Sequence, residues 1–385
     1  MNTIYRLLAI AALFNLSLIG TLAAQSGFLE TDLVANSRPL IDSNGFVHTP
    51  AHLDPNLQNP WGLGTSGTSP FWVSDNGTGV STLYNTPGVP QSLVVSIPAP
   101  GDPLGAGGTP TGLVFNINGG ATGGFKISGV NTAGNAVTAS AVFLFSTEDG
   151  TILGWNPGVN PVGFDPAKAG KYAIIAVNNA SHGAVYKGLA IATDSTGRTL
   201  LYAPNFSAGT VDVFDNTLST PTNLPADAFA DPKLNKGYAP FNVVPIGGML
   251  FVTYAVKGPT GDDVAGQSHG IVNTFNLDGS GQQRFGQHGQ LNSPWGVALA
   301  PASFGRFAGD ILIGNFGNGH INVYSPTGEF LDKLRDEHGQ AIVIDGLWAL
   351  RVGNGGNGGD ANAVYFTAGP NDEHDGLFGS LTPVQ

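Results

Sequence analysis

The sequence of 385 residues contains no cysteine. That absence excludes a disulfide framework, a thiolate zinc site, a cysteine nucleophile and a lipoprotein anchor. Charge is scarce as well. Only 11% of the residues are charged, and 27 acids against 15 bases leave a formal net charge of -12. A chain of that sign lacks the basic face that a phosphate backbone requires, so nucleic acid is set aside as a partner. Beyond the N-terminus no apolar run approaches the ~20 residues of a spanning helix. There is no P-loop. Gly353, Gly355 and Gly358 satisfy G-x-G-x-x-G in form, but they lie in a Gly/Asn-rich link with no helix after it, and the match is false.

What is abundant points to strands and turns. Glycine reaches 57 and proline 26, with Asn, Ser and Thr plentiful, a mixture that favours an all-β protein. The first residues read as a secretory signal, residues 1–24. Arg6 supplies the positive charge, Leu7 to Ile19 the apolar run, and Thr21-Leu22-Ala23-Ala24 a small-residue exit with cleavage after Ala23 or Ala24. Asn15 and Ser17 interrupt the run, which is too short for a membrane anchor. The expectation is a soluble mature chain outside the cytoplasm, secreted or periplasmic. Asn76, Asn179 and Asn205 open N-x-[ST] sequons, relevant where exported proteins are glycosylated.

Internal repetition is the most informative feature. Pro60-Trp61-Gly62-Leu63, Pro110-Thr111-Gly112-Leu113, Tyr186-Lys187-Gly188-Leu189, Pro240-Phe241-Asn242-Val243, Pro294-Trp295-Gly296-Val297 and Leu347-Trp348-Ala349-Leu350 each open a short apolar run. From Gly62 through Gly112, Gly188, Asn242 and Gly296 to Ala349 the steps are 50, 76, 54, 54 and 53 residues. The long second unit fits an insertion around 119–134, Gly119 to Gly134, between its first and second strands. Each unit then continues with a second run, a tight polar turn, a third run and a weaker fourth. Asp75 to Gly79, Asn205 to Gly209 and Asn315 to Gly319 occupy the turn in three units, and Asn-Gly in the first is a strong hairpin signal.

Six units of four strands predict a six-bladed β-propeller with antiparallel blades. The sixth unit ends at Gly376 to Val384 after three strands, while Phe28 to Val34 belongs to no unit. An N-terminal strand that completes the last blade closes the ring and leaves no open edge. That closure makes residues 25–385 one domain, because no blade buries both faces alone.

The string Asp54 to Gly62 (D-P-N-L-Q-N-P-W-G), followed by Phe71 to Gly79 (F-W-V-S-D-N-G-T-G), resembles an uncharacterised family of exported bacterial NHL-repeat-like propeller proteins. The resemblance runs from about Leu33 to Leu381 and includes Ser293 to Gly296 and Gly376 to Gly379. It implies the propeller fold and an envelope or extracellular setting, and assigns no chemistry. Some members of that family end in a Pro-Glu-Pro sorting signal. Here the sequence closes on Thr382-Pro383-Val384-Gln385, which favours a free protein over an anchored one.

In a propeller the loops leading into the first strands and the turns between second and third strands share one face, around the channel mouth. That geometry gathers Asp54, Asn59, Trp61, Asp75, Asn76, Glu148, Asp149, Asn205, Trp295, Asn315, Asn318 and the run Asn371-Asp372-Glu373-His374-Asp375. Trp61, Asp75, Asn76, Asn205, Trp295, Asn315, Asn371 and Glu373 are the candidate ligand-binding residues. Asp75, Glu373 and His374 are the candidate metal ligands, for Ca²⁺ or Mg²⁺ through oxygen and for Mn²⁺ or Zn²⁺ with the imidazole. The ordinary readings come first: Asn, Asp and Gly are what tight hairpins require, a charge run is a solvated loop, and Trp61, Trp295 and Trp348 at equivalent positions pack between blades. Of the eight histidines only His48 and His52 stand at an H-x3-H spacing, and no cysteine pair is present to complete a zinc set.

Two functions follow. The first is a binding or scaffold module for a glycan, peptide, small molecule or partner protein. The alternative is a metal-dependent enzyme of the lactonase or lyase type at the channel mouth, with Glu373 and Asp75 as ligands or base and Asn205 and Asn315 completing the shell. Convergence of Asp75, Glu148, Asn205, Asn315 and Glu373 on one point favours the enzyme. Splaying favours the binding module.

Overall fold

The computed structural model describes residues 27–120 and 123–384, and the signal-peptide expectation for residues 1–24 lies outside them. Six antiparallel sheets form the blades of a six-bladed β-propeller. Their innermost strands are Pro60–Gly64, Pro110–Phe115, Ala190–Thr193, Tyr238–Ile246, Pro294–Leu299 and Leu347–Val352. Each contacts the next around the axis, and the last contacts the first. No helix among the described residues is long and apolar enough to cross a membrane.

Ring closure uses both ends of the chain. Phe28–Ala35 pairs antiparallel with Leu377–Pro383, from Phe28 opposite Pro383 to Ala35 opposite Leu377. The sixth blade therefore takes three strands from the C-terminal end and its fourth from the N-terminal end, as the unassigned run predicts. His52–Leu53 adds a short parallel strand outside it.

The repeat motif has a steric cause. A Cβ at Gly62 would strike the backbone of Thr111, one at Gly112 that of Leu189, and one at Gly296 that of Trp348. Six strands meet at the axis, and only small side chains allow that approach. The turns repeat too: the N–H of Gly79, Gly209 and Gly319 donates to the carbonyl of Asp75, Asn205 and Asn315 at 3.0, 2.9 and 3.0 Å. These three glycines have φ of 66°, 74° and 68°, which L side chains adopt at a cost.

Apolar clusters fill the spaces between blades. Trp72, Leu83 and Val95 of the first blade pack on Leu113, Phe143 and Trp155 of the second, and Leu312, Ile321 and Val323 of the fifth pack on Leu347, Val364 and Phe366 of the sixth. Each such side chain contributes about 1.5–3 kcal/mol on burial.

Two units depart from the expected pattern. The third blade has three strands, Ala190–Thr193, Thr199–Asn205 and Thr210–Phe214. Its fourth run falls in 215–237, where Pro221, Pro225 and Pro232 remove ladder donors. Leu224, Phe229 and Leu234 of that segment pack against the blade core instead. In the second unit, the residues between Pro110–Phe115 and Phe143–Thr147 form a hairpin, Lys126–Val130 with Ala136–Ser140. It is fastened by Phe125 and Ile127, both buried, so this is a folded addition larger than the Gly-rich stretch alone.

Candidate functional site at the channel mouth

One position of the repeat defines the axis. Trp61, Thr111, Lys187, Phe241, Trp295 and Trp348 precede the small residue in each unit, and four of the six are aromatic. Trp61 stacks on Trp348 with centroids 3.6 Å apart, and Trp295 meets both edge-on at 6.2 and 5.8 Å. Phe316 stacks on the other side of Trp348 at 4.0 Å. The tryptophans are 2%, 4% and 1% exposed. They close the channel as a packed layer, and none offers a free face at the mouth for stacking a ligand.

A connected polar chain lies on the mouth side of this layer. Trp348 Nε1 donates to Asn59 Oδ1 at 3.0 Å. Asn59 Nδ2 donates to Glu373 Oε2 at 2.5 Å and to Asn76 Oδ1 at 3.4 Å. Asn76 Nδ2 continues to Glu148 Oε2 at 2.9 Å, and Lys187 Nζ donates to Glu148 Oε1 at 2.5 Å and to Asp262 Oδ1 at 3.4 Å. The Lys187 ammonium also lies 5.1 Å from the centroid of the Trp61 ring, a cation–π distance.

Burial opposes the charge of Lys187, whose side chain is 4% exposed. The Glu148 carboxylate outweighs that burial, with help from Asp262 and Asp263, and holds the ammonium above its ordinary pKa. The amine is therefore no nucleophile near neutral pH. Burial raises Glu373, and Glu148 nearby adds to the effect while Asn59 and Lys187 oppose it. Burial raises Asp263 too, against the nearby Ser293 hydroxyl and then Lys187. Two carboxylates thus contact the ammonium, and Asp263 and Glu373 lie near enough to feel its charge.

Local backbone conformation aims these groups. Asn371, Asp372 and Glu373 are three consecutive left-handed residues with φ of 59°, 52° and 67°, a conformation costing about 1–2 kcal/mol at an ordinary residue. Of the five-residue acidic run only Glu373 joins the chain at the mouth. Asn371 is spent on Asp345 Oδ2, the Ile41 carbonyl and Asp375, while His374 is exposed and its Nδ1 faces the Asn371 carbonyl at 2.9 Å.

The other sequence candidates are spent within their own repeat units. Asp75 is fully buried, with Oδ2 accepting from Thr82 N and Oγ1 at 3.0 and 2.7 Å. Burial drives its carboxyl well above the usual range. Asn205 binds Asp212 and Asn315 binds the Gln290 carbonyl; Asp54 accepts from the Tyr84 hydroxyl, and Asp149 from Thr109. Asp75, Glu373 and His374 do not form a ligand set: among the described residues the grouped donors are Glu30, Asp32 and His48, all within 4.8 Å of one another and away from the axis. In that cluster His48 Nδ1 is 3.1 Å from Asp32 and Nε2 is 3.7 Å from Asp42. At the mouth, the place for a divalent cation beside Glu148 is taken by the Lys187 ammonium. The residues there do not fit a metal.

Lys187, Asp262 and Asp263 are the members of the site missed by sequence reasoning. The signal for Lys187 was present: it is a lone base at a repeat position otherwise filled by Trp, Phe or Thr. Asp262 and Asp263 lie in the long turn between Met249–Val256 and Gly270–Asn276, which has no counterpart in the other units.

The molecule is therefore a ring-closed six-bladed β-propeller with an aromatic layer across its channel and an acidic mouth. No family model matches the sequence. It belongs to a family that includes two uncharacterized proteins of Acanthamoeba polyphaga mimivirus. One is 32% identical over 340 residues, covering 87% of this chain and 77% of the relative; the other is 33% identical over 341 residues, covering 87% and 83%. These relatives are viral, so the bacterial and exported side of the resemblance rests on sequence alone.

Among solved structures, a streptogramin B lyase superposes with a TM-score of 0.44 at 11% identity, over 93% of this chain and 98% of that one. A PQQ-bound aldose sugar dehydrogenase from Streptomyces coelicolor gives 0.46 at 12%, over 94% and 99%. A calcium-binding regucalcin from Agrobacterium tumefaciens gives 0.43 at 9%, over 84% and 89%. Superpositions this loose carry no chemistry to the chain.

Proposed function

We propose that this chain is an exported binding propeller whose channel mouth takes a cationic group, the ammonium or guanidinium of a basic peptide. One observation carries the reading: Lys187 is the single base in contact with Glu148 and Asp262, and Glu373 is tied to Glu148 through Asn59 and Asn76, so the mouth keeps uncompensated negative charge in a partly desolvated setting. A second cation would meet carboxylates already held in place by Asn59 and Asn76. Stacking of a sugar finds no support, because the tryptophans are covered. The divergent placement of Asp75, Asn205 and Asn315 likewise takes support from the lactonase or lyase reading. Export is argued from the N-terminal apolar run.

Titration calorimetry with a lysine-rich peptide and its fully acetylated counterpart tests the reading. The basic peptide binds, the acetylated one binds at least tenfold more weakly, and Glu148→Gln with Asp262→Asn removes the difference. Affinity rises with pH as Glu373 and Asp263 ionise, and falls with added salt. Equal binding of the two peptides would sink the proposal. So would about one equivalent of Ca, Mg, Mn or Zn, measured by elemental mass spectrometry on protein purified without chelator and lost on Glu373→Ala. That result would restore the metal-enzyme alternative.

A further inference from the structure

Below the aromatic layer the same six strands enclose a second space. It is a cavity of about 520 Å³, with Trp295 in its lining and walls that include Leu63, Leu113, Val114, Val244 and Val297. It reaches Ser66, Gly67 and Ile117, all at least partly exposed, on the face opposite the mouth. The volume is that of a small-molecule site, about 300–1,000 Å³.

One charged side chain lines this space, Arg351. Its guanidinium has no carboxylate within salt-bridge distance among the described residues. Nη2 is 3.4 Å from the carbonyl and the hydroxyl of Thr65, the long end of hydrogen bonding, and Nε is buried without a partner. Burial lowers its pKa to about 10, which leaves it cationic at neutral pH. A half-buried cation without a counter-ion is costly to keep. It also presents a planar fork of donors suited to a carboxylate.

From this juxtaposition of a lone guanidinium and an apolar axial cavity, we infer that the lower channel binds a small amphipathic carboxylate, with its head on Arg351 and its apolar body along the strand side chains. Charge complementarity selects the head, and the cavity walls select the body. The site differs from the mouth in face, sign and residues, so it stands or falls independently of the proposed function.

The test is calorimetry of the full chain with octanoate, decanoate and 1-octanol near neutral pH. Octanoate binds, octanol binds at least tenfold more weakly, and decanoate binds about tenfold more tightly than octanoate, since each buried methylene contributes about 0.8 kcal/mol. Arg351→Leu abolishes the preference for octanoate over octanol while octanol still binds. Val244→Trp, which fills the cavity, weakens both, and Glu148→Gln at the mouth changes neither. The inference is overturned if octanoate shows no saturable binding, if Arg351→Leu leaves its affinity unchanged, or if Val244→Trp does not disturb it.

Discussion

The two ends of the channel are built from the same six strands and differ in almost everything else. At the mouth one buried ammonium is answered by several carboxylates and a chain of amides. At the far end one guanidinium meets Thr65 and apolar walls. Between them stands a layer one residue thick, and along each inner strand a single step crosses from one environment to the other. A repeat fold permits this because the position before the small residue faces the axis in every unit, so its six side chains can be chosen separately. Function on such a scaffold lies in the exceptions to the repeat.

The largest expected effect comes from breaking the partition itself. Trp348→Ala removes the stacks on Trp61 and Phe316 and the hydrogen bond to Asn59. Truncation of a buried Trp costs about 3–5 kcal/mol, read as a lower urea midpoint with an unchanged slope. The same variant joins the two spaces, so Glu148→Gln, neutral for octanoate in the native protein, then alters octanoate affinity. Independence retained in Trp348→Ala would show that the aromatic layer is not the barrier.

Next in size is the contrast between the two cations. Lys187→Met leaves Glu148 without its cation, with only the Asn76 amide still bound, and the expected loss is about 1–3 kcal/mol. It also removes the competing charge over Trp61, so a lysine-rich peptide binds about tenfold more tightly than to the native chain. Arg351→Leu strands no carboxylate. Its expected change in stability lies between zero and a gain of about 1 kcal/mol, measured by urea unfolding side by side with Lys187→Met. A loss at Arg351 equal to that at Lys187 would mean that the far cation is structurally paired after all.

Much of this architecture was legible because it is steric. The glycines at the axis and in the hairpins recur where the backbone admits nothing larger, and the strand missing from the sixth unit is found in Phe28–Ala35. The site was legible only in part. Asn59, Asn76, Glu148 and Glu373 were in view as rim residues, but a sequence does not say which way a side chain turns. Asp75 turns inward because Thr82 offers it two donors. His374 turns outward because three left-handed residues before it aim Glu373 at the axis instead. Convergence of Lys187 with Asp262 and Asp263 depends on a loop outside the repeat, and Arg351 becomes notable only through what its surroundings lack.

The smallest expected effect separates the two ends by pH. A carboxyl group whose folded pKa is raised binds a proton that the unfolded chain has released, so stability falls as pH rises from the unfolded value through the folded one. Burial raises Glu373 and Asp263 at the mouth in this way. Glu30, pushed up to about 7 by burial and then by Asp32, contributes in the same window. His48 adds the same sign: burial opposes its charge, but Asp32 lifts its pKa, and that support is lost on deprotonation. Arg351, lowered to about 10, is silent below pH 8. In a Glu30→Gln background, where the cluster's main contribution is gone, Glu373→Gln should flatten the fall in melting midpoint between pH 5 and 8 by on the order of 1–2 °C. Arg351→Leu in that background should leave the slope as it is. A slope that follows Arg351 and ignores Glu373 would place the titrating groups at the wrong end of the channel.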